Sequence, residues 1–217
     1  MPIENYIEHT LLKPEATHEG IINLCREAQE AELFAVCVNP WNVALAKETL
    51  KGSAVKVVTV VGFPLGATFS RIKALEGELA IKDGADEIDM VMNIGALKNG
   101  LYSEVVEDIQ KVVIAAEKHP VKVIIETCLL TDEEKIRAVK LIAQGGAQFV
   151  KTSTGFNKAG ATINDVKLLR READKYGLGV KAAGGIRDAA TAKAMLEAGA
   201  DRIGTSAGKI IAEAYHD

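Results

Sequence analysis

Two lysines lie within stretches of sequence that otherwise have the composition of buried strands. Lys151 lies in Phe-Val-Lys-Thr-Ser-Thr-Gly-Phe, residues 149–156, and Lys181 lies in Gly-Val-Lys-Ala-Ala-Gly-Gly, residues 179–185. Lysine is rarely buried unless its ammonium group is paired or used in chemistry. An amine attacks a carbonyl only when it is neutral, and burial and a neighbouring cation both lower its pKa toward that state. The two lysines therefore predict Schiff-base chemistry at a shared site.

Two acidic residues in other apolar stretches are candidate partners for these lysines. Asp89 lies in the middle of the run 87–94, and Glu126 lies near the end of the run 121–127. A charge in a buried strand needs a counter-ion, and a lysine across the same interior would supply one. Asp89 could then move protons through a bound water. For both acids a purely structural role, as an ion-pair or hydrogen-bond partner, stays open as an equal alternative.

Glycine-rich turns follow the last two predicted strands. The first reads Gly184-Gly185-Ile186-Arg187, and the second reads Gly204-Thr205-Ser206. Glycines let backbone N–H groups approach an anion, a following helix adds the partial positive charge of its first turn, and Arg187 supplies a full charge. These turns predict a phosphate site beside the two lysines. The alternative is that they are ordinary strand-to-helix turns and that the lysines reach solvent or pair with acids at the opposite mouth of a barrel.

The elements that would position these residues alternate along the chain as short apolar strands and longer amphipathic segments. Such alternation is typical of parallel strands joined by crossover helices. Seven strands are clear and an eighth is weaker: 33–38, 55–63, 87–94, 121–127, 149–154, 179–183, 202–205 and, as the weak first strand, 6–12. Eight such units predict an α/β fold, a single-domain (β/α)8 TIM barrel over residues 1–217. The alternative, an open doubly wound sheet, usually has Gly-x-Gly-x-x-Gly after its first strand, and that motif does not follow Val38.

Several helix boundaries can be predicted from local sequence. Thr131 and Thr162 each precede an acidic residue by three positions, which is the pattern of a capping box. Asn39 before Pro40 predicts a side-chain cap followed by proline in the first turn. Gly-Ala pairs at three helix-to-strand junctions predict glycines in the left-handed conformation. In the helix that follows Thr131, one apolar stripe is predicted to pack on the sheet. These glycines are Gly84, Gly146 and Gly199, and the stripe is Ile136, Val139 and Ala143.

Composition narrows the classes of partner and compartment. A net charge of -4 with scattered basic residues gives no reason to expect binding to nucleic acid or to an anionic membrane. Three widely spaced cysteines, together with a start that does not resemble a signal peptide, favour the cytoplasm. The four histidines are isolated from one another, so no metal is expected. Cys37 ends a predicted strand, where a buried small side chain is the expected role.

Taken together, these motifs closely resemble those of the deoxyribose-phosphate aldolase family of class I aldolases. Lys-Thr-Ser-Thr-Gly followed about 30 residues later by Lys-Ala-Ala-Gly-Gly is the most specific part of the resemblance. The matching segments extend over nearly the whole chain: His9 to Pro14, 58–63, 86–93, 150–155, 180–185 and 202–206.

The resemblance implies reversible cleavage of 2-deoxy-D-ribose 5-phosphate to D-glyceraldehyde 3-phosphate and acetaldehyde, in deoxyribonucleotide catabolism and without a cofactor. By its motif, Lys151 would form the Schiff base, Lys181 would perturb it and join a proton relay, and Asp89 would assist through water. The family's phosphate contacts correspond here to Gly155, Gly184, Gly185, Gly204 and Ser206. Members are often homodimers.

Two departures from the family pattern leave roles unassigned. Glu8 stands where an aspartate commonly precedes His-Thr-Leu-Leu, and Tyr215 is followed by two further residues, whereas some members end in a tyrosine. Two other functions fit the same motifs. One is a phosphosugar isomerase or epimerase that uses Asp89 and a cationic Lys151 without a covalent intermediate, and the other is a phosphosugar-binding protein without catalysis.

Overall fold

The structure, a computed structural model, describes residues 2–216 as a closed barrel of eight parallel strands in sequence order. The predicted (β/α)8 fold is confirmed. The predicted domain boundaries, Met1 and Asp217, lie outside the described residues. The strands are β1 Ile7–Leu11, β2 Ala35–Val38, β3 Lys56–Val61, β4 Glu87–Val91, β5 Val121–Ile124, β6 Phe149–Lys151, β7 Gly179–Ala183 and β8 Arg202–Thr205.

Helices connect the strands and surround the barrel. They are α1 His18–Glu30, α2 Val43–Thr49, α3 Ser70–Lys82, α4 Ile94–Lys98, α5 Tyr102–Ala115, α6 Asp132–Gln144, α7 Ile163–Ala173, α8 Ala189–Glu197 and α9 Gly208–His216. Short 3₁₀ helices span Ile3–Tyr6, Pro40–Asn42, Thr127–Leu129 and Asp174–Tyr176. Within residues 2–216, every helix is too short or too polar to cross a lipid bilayer.

Most of the predicted caps and turns are present. Thr131 and Glu134 form a reciprocal capping box at α6, and Thr162 accepts a hydrogen bond from the Asp165 N–H at α7. The glycines at the three junctions, Gly84, Gly146 and Gly199, have φ of 107°, 80° and 107°. Asn39 does not cap: its amide donates to the Leu12 carbonyl at 3.0 Å, because that carbonyl at the end of β1 lies within reach.

The predicted stripe of α6 is partly wrong. Val139 is fully buried and Ala143 packs against the core, but Ile136 is 36 % exposed. The buried face is instead centred on Ala138, Val139 and Ile142. Residues three and four apart share a helix face, so Ile136 lies at the edge of this face, toward solvent.

The core has two parts. The larger part lies between the barrel and its helices, and the smaller part lies inside the barrel, where Ala35 and Cys37 of β2 pack on Val58 and Val60 of β3. Alternate residues of a strand point to opposite faces, so these side chains mark the inner face. Val60 is the register partner of Asp89. The interior is therefore apolar on the side of β2 and β3, and the charged side chains start at Asp89 on the next strand, β4.

Candidate active site

Charged side chains from five strands meet inside the barrel. Asp89 is the register partner of Lys122, and Lys151 is the register partner of Lys181, so each pair points to the same face. Glu8 enters from β1, whose neighbour across the closure is β8. All five side chains are at least 96 % buried. The barrel closure therefore brings together residues up to 173 positions apart in the chain.

Asp89 is the centre of this cluster. Its Oδ2 accepts from Lys151 Nζ at 2.7 Å and from Lys181 Nζ at 2.6 Å. Its Oδ1 accepts from Lys122 Nζ at 2.9 Å. Burial raises the pKa of Asp89, but the three ammonium groups outweigh burial and hold that pKa well below its ordinary value. Asp89 is therefore a carboxylate at neutral pH.

Two glutamates complete the charge balance. Lys181 Nζ also contacts Glu8 Oε2, and Lys122 Nζ lies 2.8 Å from Glu87 Oε2 and 3.4 Å from Glu8 Oε1. Three carboxylates, Glu8, Glu87 and Asp89, thus face three lysines. Because every ammonium contacts a carboxylate, the cluster meets the condition under which buried charges are tolerated.

The two lysines predicted from the sequence have opposite pKa shifts. Burial lowers the pKa of Lys151 and the Lys181 ammonium lowers it further, and Asp89 opposes both without cancelling them. Burial also lowers the pKa of Lys181, but Asp89 and Glu8 outweigh it, so that the pKa of Lys181 lies above its ordinary value. Lys151 is therefore the lysine that gives up its proton more readily, while Lys181 remains a cation beside it.

A cavity of about 360 Å³ opens over the carboxyl-terminal ends of β6, β7, β8 and β1. Lys151 lines this cavity, whereas neither Lys181 nor Asp89 does. The five residues predicted to bind phosphate all line it. The complete lining is Thr10, Leu11, Leu12, Lys13, Lys151, Thr154, Gly155, Phe156, Ala183, Gly184, Gly185, Ile186, Arg187, Gly204, Thr205 and Ser206.

The lining of the cavity is suited to an anion. It contains three basic side chains, Lys13, Lys151 and Arg187, and no carboxylate. Gly184 and Gly185 have φ of 88° and 81°, a backbone conformation that side chains disfavour. Successive turn glycines of this kind expose backbone N–H groups to a ligand. The turn after β7 therefore has the backbone shape and the charged surroundings of a phosphate cradle.

One close backbone contact at this cradle involves another glycine. A Cβ added at Gly160 would lie 2.1 Å from the Gly184 carbonyl oxygen, so the two backbones are in direct contact. At Gly204, a Cβ would lie 3.1 Å from Lys181 Cε. A side chain at Gly160 would therefore meet the backbone of the cradle, whereas a side chain at Gly204 would be in tight contact with Lys181.

The other residues considered from the sequence lie around the cluster. Glu126 adopts a left-handed backbone with φ of 51°, and its carboxylate accepts from Thr154, not from a lysine. Cys37 is fully buried, and burial raises the pKa of its thiol to about 11. His9 is held between Glu27, 2.8 Å from its Nε2, and the Gly208 N–H, which donates to its Nδ1 at 3.3 Å. Among residues 2–216, no group of His, Cys, Asp and Glu is arranged to hold a metal ion.

Sequence reasoning missed Lys122 and left Glu8 without a role. Lys122 stands between two valines of β5, the same signal of a lysine in an apolar strand that singled out Lys151. Glu8 stands between Ile7 and His9 in β1. The signal for Lys122 was available in the sequence, whereas the contact of Glu8 with Lys181 depends on closure of the barrel.

Comparison with known proteins gives consistent matches across the chain. The profile of the DeoC/LacD family of aldolases matches residues 5–214. The deoxyribose-phosphate aldolase of Thermococcus gammatolerans is 58 % identical over 98 % of this chain and 96 % of its own length. That of Clostridium tetani is 54 % identical over 98 % of this chain and 99 % of its own. The solved structure of the tetrameric deoxyribose phosphate aldolase of Aeropyrum pernix is 33 % identical, with a TM-score of 0.92 over 99 % of this chain and 91 % of that one.

Proposed function

The chain belongs to the DeoC/LacD family of aldolases, and from that membership we infer that it is a class I aldolase acting on 2-deoxy-D-ribose 5-phosphate. The reaction is reversible cleavage to D-glyceraldehyde 3-phosphate and acetaldehyde through a lysine Schiff base. The observation that carries the residue assignment is the position of Lys151, which lines the cavity suited to an anion and shares Asp89 Oδ2 with a second lysine.

Lys151 is the nucleophile of this proposal. Its neutral amine adds to the C1 aldehyde of the open-chain sugar, and loss of water from the carbinolamine leaves an iminium ion. The iminium accepts the electron pair of the C2–C3 bond as that bond breaks, while the C3 hydroxyl loses its proton and becomes the aldehyde of glyceraldehyde 3-phosphate. The enamine that remains is protonated at its terminal carbon, and water then releases acetaldehyde and the free amine.

Lys181 and Asp89 act on Lys151 from beneath the cavity. The Lys181 ammonium lowers the pKa of Lys151, which makes the free amine available nearer neutral pH. Asp89 accepts hydrogen bonds from both lysines and so links them within one network. Protons released and taken up in the carbinolamine and enamine steps pass through this network and a bound water. Asp89 remains ionised in this scheme because its pKa is low.

The glycine turns and two basic side chains of the cavity lining anchor the phosphate. Gly155, Gly184, Gly185, Gly204 and Ser206 line one side of the cavity. Arg187 and Lys13, which also line the cavity, add the charge that a phosphate dianion prefers. Binding energy from this remote group orients the reacting carbon over Lys151, so unphosphorylated sugars are expected to react far less well.

Borohydride trapping tests the proposal. In the presence of substrate, borohydride reduces the iminium and adds a covalent mass to the peptide that contains Lys151. An isomerase or epimerase that works without a covalent intermediate gives no adduct, and a binding protein gives neither adduct nor turnover. An adduct on Lys181 alone would overturn the assignment of the nucleophile while leaving a Schiff-base mechanism in place.

We also propose that the enzyme is a cytoplasmic homodimer. The three cysteines are unpaired thiols, which supports a reducing compartment. Leu65, Phe69 and Leu79 are 77 %, 69 % and 51 % exposed along α3 and the segment before it, beside a largely apolar cavity of about 500 Å³. Exposed apolar surface of this extent supports contact with a second copy. Light scattering of the wild type and of Leu79→Glu, which is expected to weaken the contact, tests the assembly.

A further inference from the structure

The loop that follows β6, residues 152–162, is fastened at both ends and exposed between them. At its start the Thr152 hydroxyl donates to the Ala183 carbonyl at 3.1 Å and accepts from the Ala183 N–H at 3.1 Å. Near its end the Ala161 N–H lies 3.1 Å from the carbonyl oxygens of Ala183 and Gly184. Residues 155–159 between these points are exposed. The loop is therefore attached to the end of β7 and needs another contact to orient its exposed part.

Glu126 supplies that contact from the end of β5. Its Oε1 accepts from the Thr154 N–H at 3.1 Å, and its Oε2 accepts from the Thr154 hydroxyl at 2.5 Å. The Thr154 oxygen in turn accepts from the Phe156 N–H at 3.1 Å. Three consecutive cavity-lining residues, Thr154, Gly155 and Phe156, are thus held in place from one side chain that does not itself line the cavity.

A carboxylate suits this position for a directional reason. A carboxylate only accepts hydrogen bonds, so both the N–H and the hydroxyl of Thr154 must donate to it. The hydroxyl oxygen is then free to accept from the Phe156 N–H. A glutamine would present an NH₂ group to one of these two donors. The carboxylate therefore sets the direction of the whole chain of hydrogen bonds.

The position is also energetically unfavourable in two ways. Glu126 is 3 % exposed, and among residues 2–216 no cation forms an ion pair with its carboxylate. Its backbone has φ of 51°, in the region that residues other than glycine rarely adopt. A buried carboxylate on a strained backbone persists where the surrounding structure requires it, and such strain is concentrated at functional sites.

We propose that Glu126 is a positioning residue for phosphate recognition, which holds the Thr154–Gly155–Phe156 wall against the glycine cradle of Gly184 and Gly185. The proposal rests on the proposed function, because it takes the anion in the cavity to be the phosphate of the substrate. Glu126 acts through Thr154 and not on the reacting atoms. Its loss therefore weakens binding of the phosphorylated end and spares the chemistry at Lys151.

Glu126→Gln and Thr154→Val test this role, because Gln breaks the direction of the hydrogen bonds and Val removes the hydroxyl at nearly constant volume. For 2-deoxyribose 5-phosphate we expect KM to rise about tenfold and kcat to change less than about threefold. For unphosphorylated 2-deoxyribose, kcat/KM should stay near the wild-type value. Thr154→Ser, which keeps the hydroxyl, should restore KM. Glu172→Gln, which removes a buried carboxylate of α7 away from the cavity, is the matched control.

A second readout needs no turnover. Inorganic phosphate should raise the unfolding temperature of the wild type and of Glu172→Gln, and should raise that of Glu126→Gln and Thr154→Val markedly less. If the wild type is not an aldolase, the trapping reaction fails while this phosphate effect still reports on Glu126. Unchanged KM and an unchanged phosphate effect in either folded variant would overturn the proposal, and so would equal losses of kcat/KM on both sugars.

Discussion

Two buried lysine–aspartate pairs differ in what surrounds them, one outside the barrel and one inside it. Between helices α3 and α5, Lys73 donates to Asp108 at 2.5 Å and to the Val91 carbonyl at 2.8 Å. Inside the barrel, Lys151 donates to Asp89 at 2.7 Å. Burial lowers the pKa of both lysines, and in both pairs the aspartate opposes burial without cancelling it. The pKa values of the two lysines are therefore shifted in the same direction by burial.

The difference between the pairs lies in access and in the second cation. Lys73 is fully buried and lines none of the cavities described above, whereas Lys151 lines the cavity at the carboxyl-terminal mouth. Asp108 forms an ion pair with one lysine, whereas Asp89 forms ion pairs with three. A lowered lysine pKa is thus found in a buried pair outside the barrel as well as at the cavity. It indicates a nucleophile only where an open cavity lets a carbonyl reach the amine.

The two pairs are expected to differ most in how the loss of their lysine affects turnover. Lys151→Met removes the nucleophile, and we expect kcat to fall by about ten-thousandfold or more. Lys73→Met removes an equally buried amine, and we expect kcat of the folded variant to stay within about threefold of the wild type, because Lys73 lies outside the reaction cavity. Steady-state cleavage of 2-deoxyribose 5-phosphate measures both.

Unfolding in urea provides the control, since both variants must be shown to be folded at the assay temperature. Methionine keeps the apolar stem of lysine in each case. Comparable loss of kcat in folded Lys73→Met would show that the outer pair contributes to catalysis. Substantial residual turnover in Lys151→Met would remove the covalent role of Lys151.

The next largest effect is expected in stability. Asp108→Leu leaves the Lys73 ammonium buried without its counter-ion, and we expect the free energy of unfolding to fall by about 3–5 kcal/mol. Lys73→Met/Asp108→Leu replaces the whole pair with apolar side chains and should recover most of that loss. Lys151→Met/Asp89→Leu should not recover in this way, because Lys122 and Lys181 also depend on Asp89. Urea titrations of the single and double variants measure each difference, and full recovery inside the barrel would contradict the cluster as described.

Most of the fold could be predicted from the sequence because its signals are local. The alternation of strands and helices, the caps at Thr131 and Thr162 and the glycines at the junctions each follow from a few neighbouring residues. The errors arose where a distant group competed. The Asn39 amide bonds to a carbonyl 27 residues away, and Ile136 lies outside a buried face whose orientation depends on tertiary packing.

The site was accessible to sequence reasoning only in part. Lys151, Lys181 and Asp89 could be selected because each interrupts an apolar strand, and the structure brings all three together. Which lysine keeps its proton could not be inferred from the residues alone, since the pKa of Lys181 depends on Glu8, a residue 173 positions away. The role of Glu126 is equally nonlocal, because its carboxylate acts on a loop 28 residues further along.

The smallest expected effect is a shift in pH dependence. The Lys181 cation lowers the pKa of Lys151, so Lys181→Met should raise it. The reaction needs the neutral amine, and therefore the acid limb of kcat/KM should move to higher pH. Lys73→Met changes no charge near Lys151 and should leave the limb unmoved. Rates for 2-deoxyribose 5-phosphate cleavage from pH 5 to pH 10 measure the shift.

The plateau of the same profile separates two roles of Lys181. If Lys181 only tunes its neighbour, the rate of Lys181→Met should approach that of the wild type once the pH exceeds the raised pKa of Lys151. If Lys181 also carries protons through Asp89, the plateau should stay about a hundredfold lower, because a general acid has been lost. The hydrogen bond of Lys181 to the oxygen of Asp89 that Lys151 also contacts favours the lower plateau. An acid limb that does not move at all would contradict the tuning, whatever the height of the plateau.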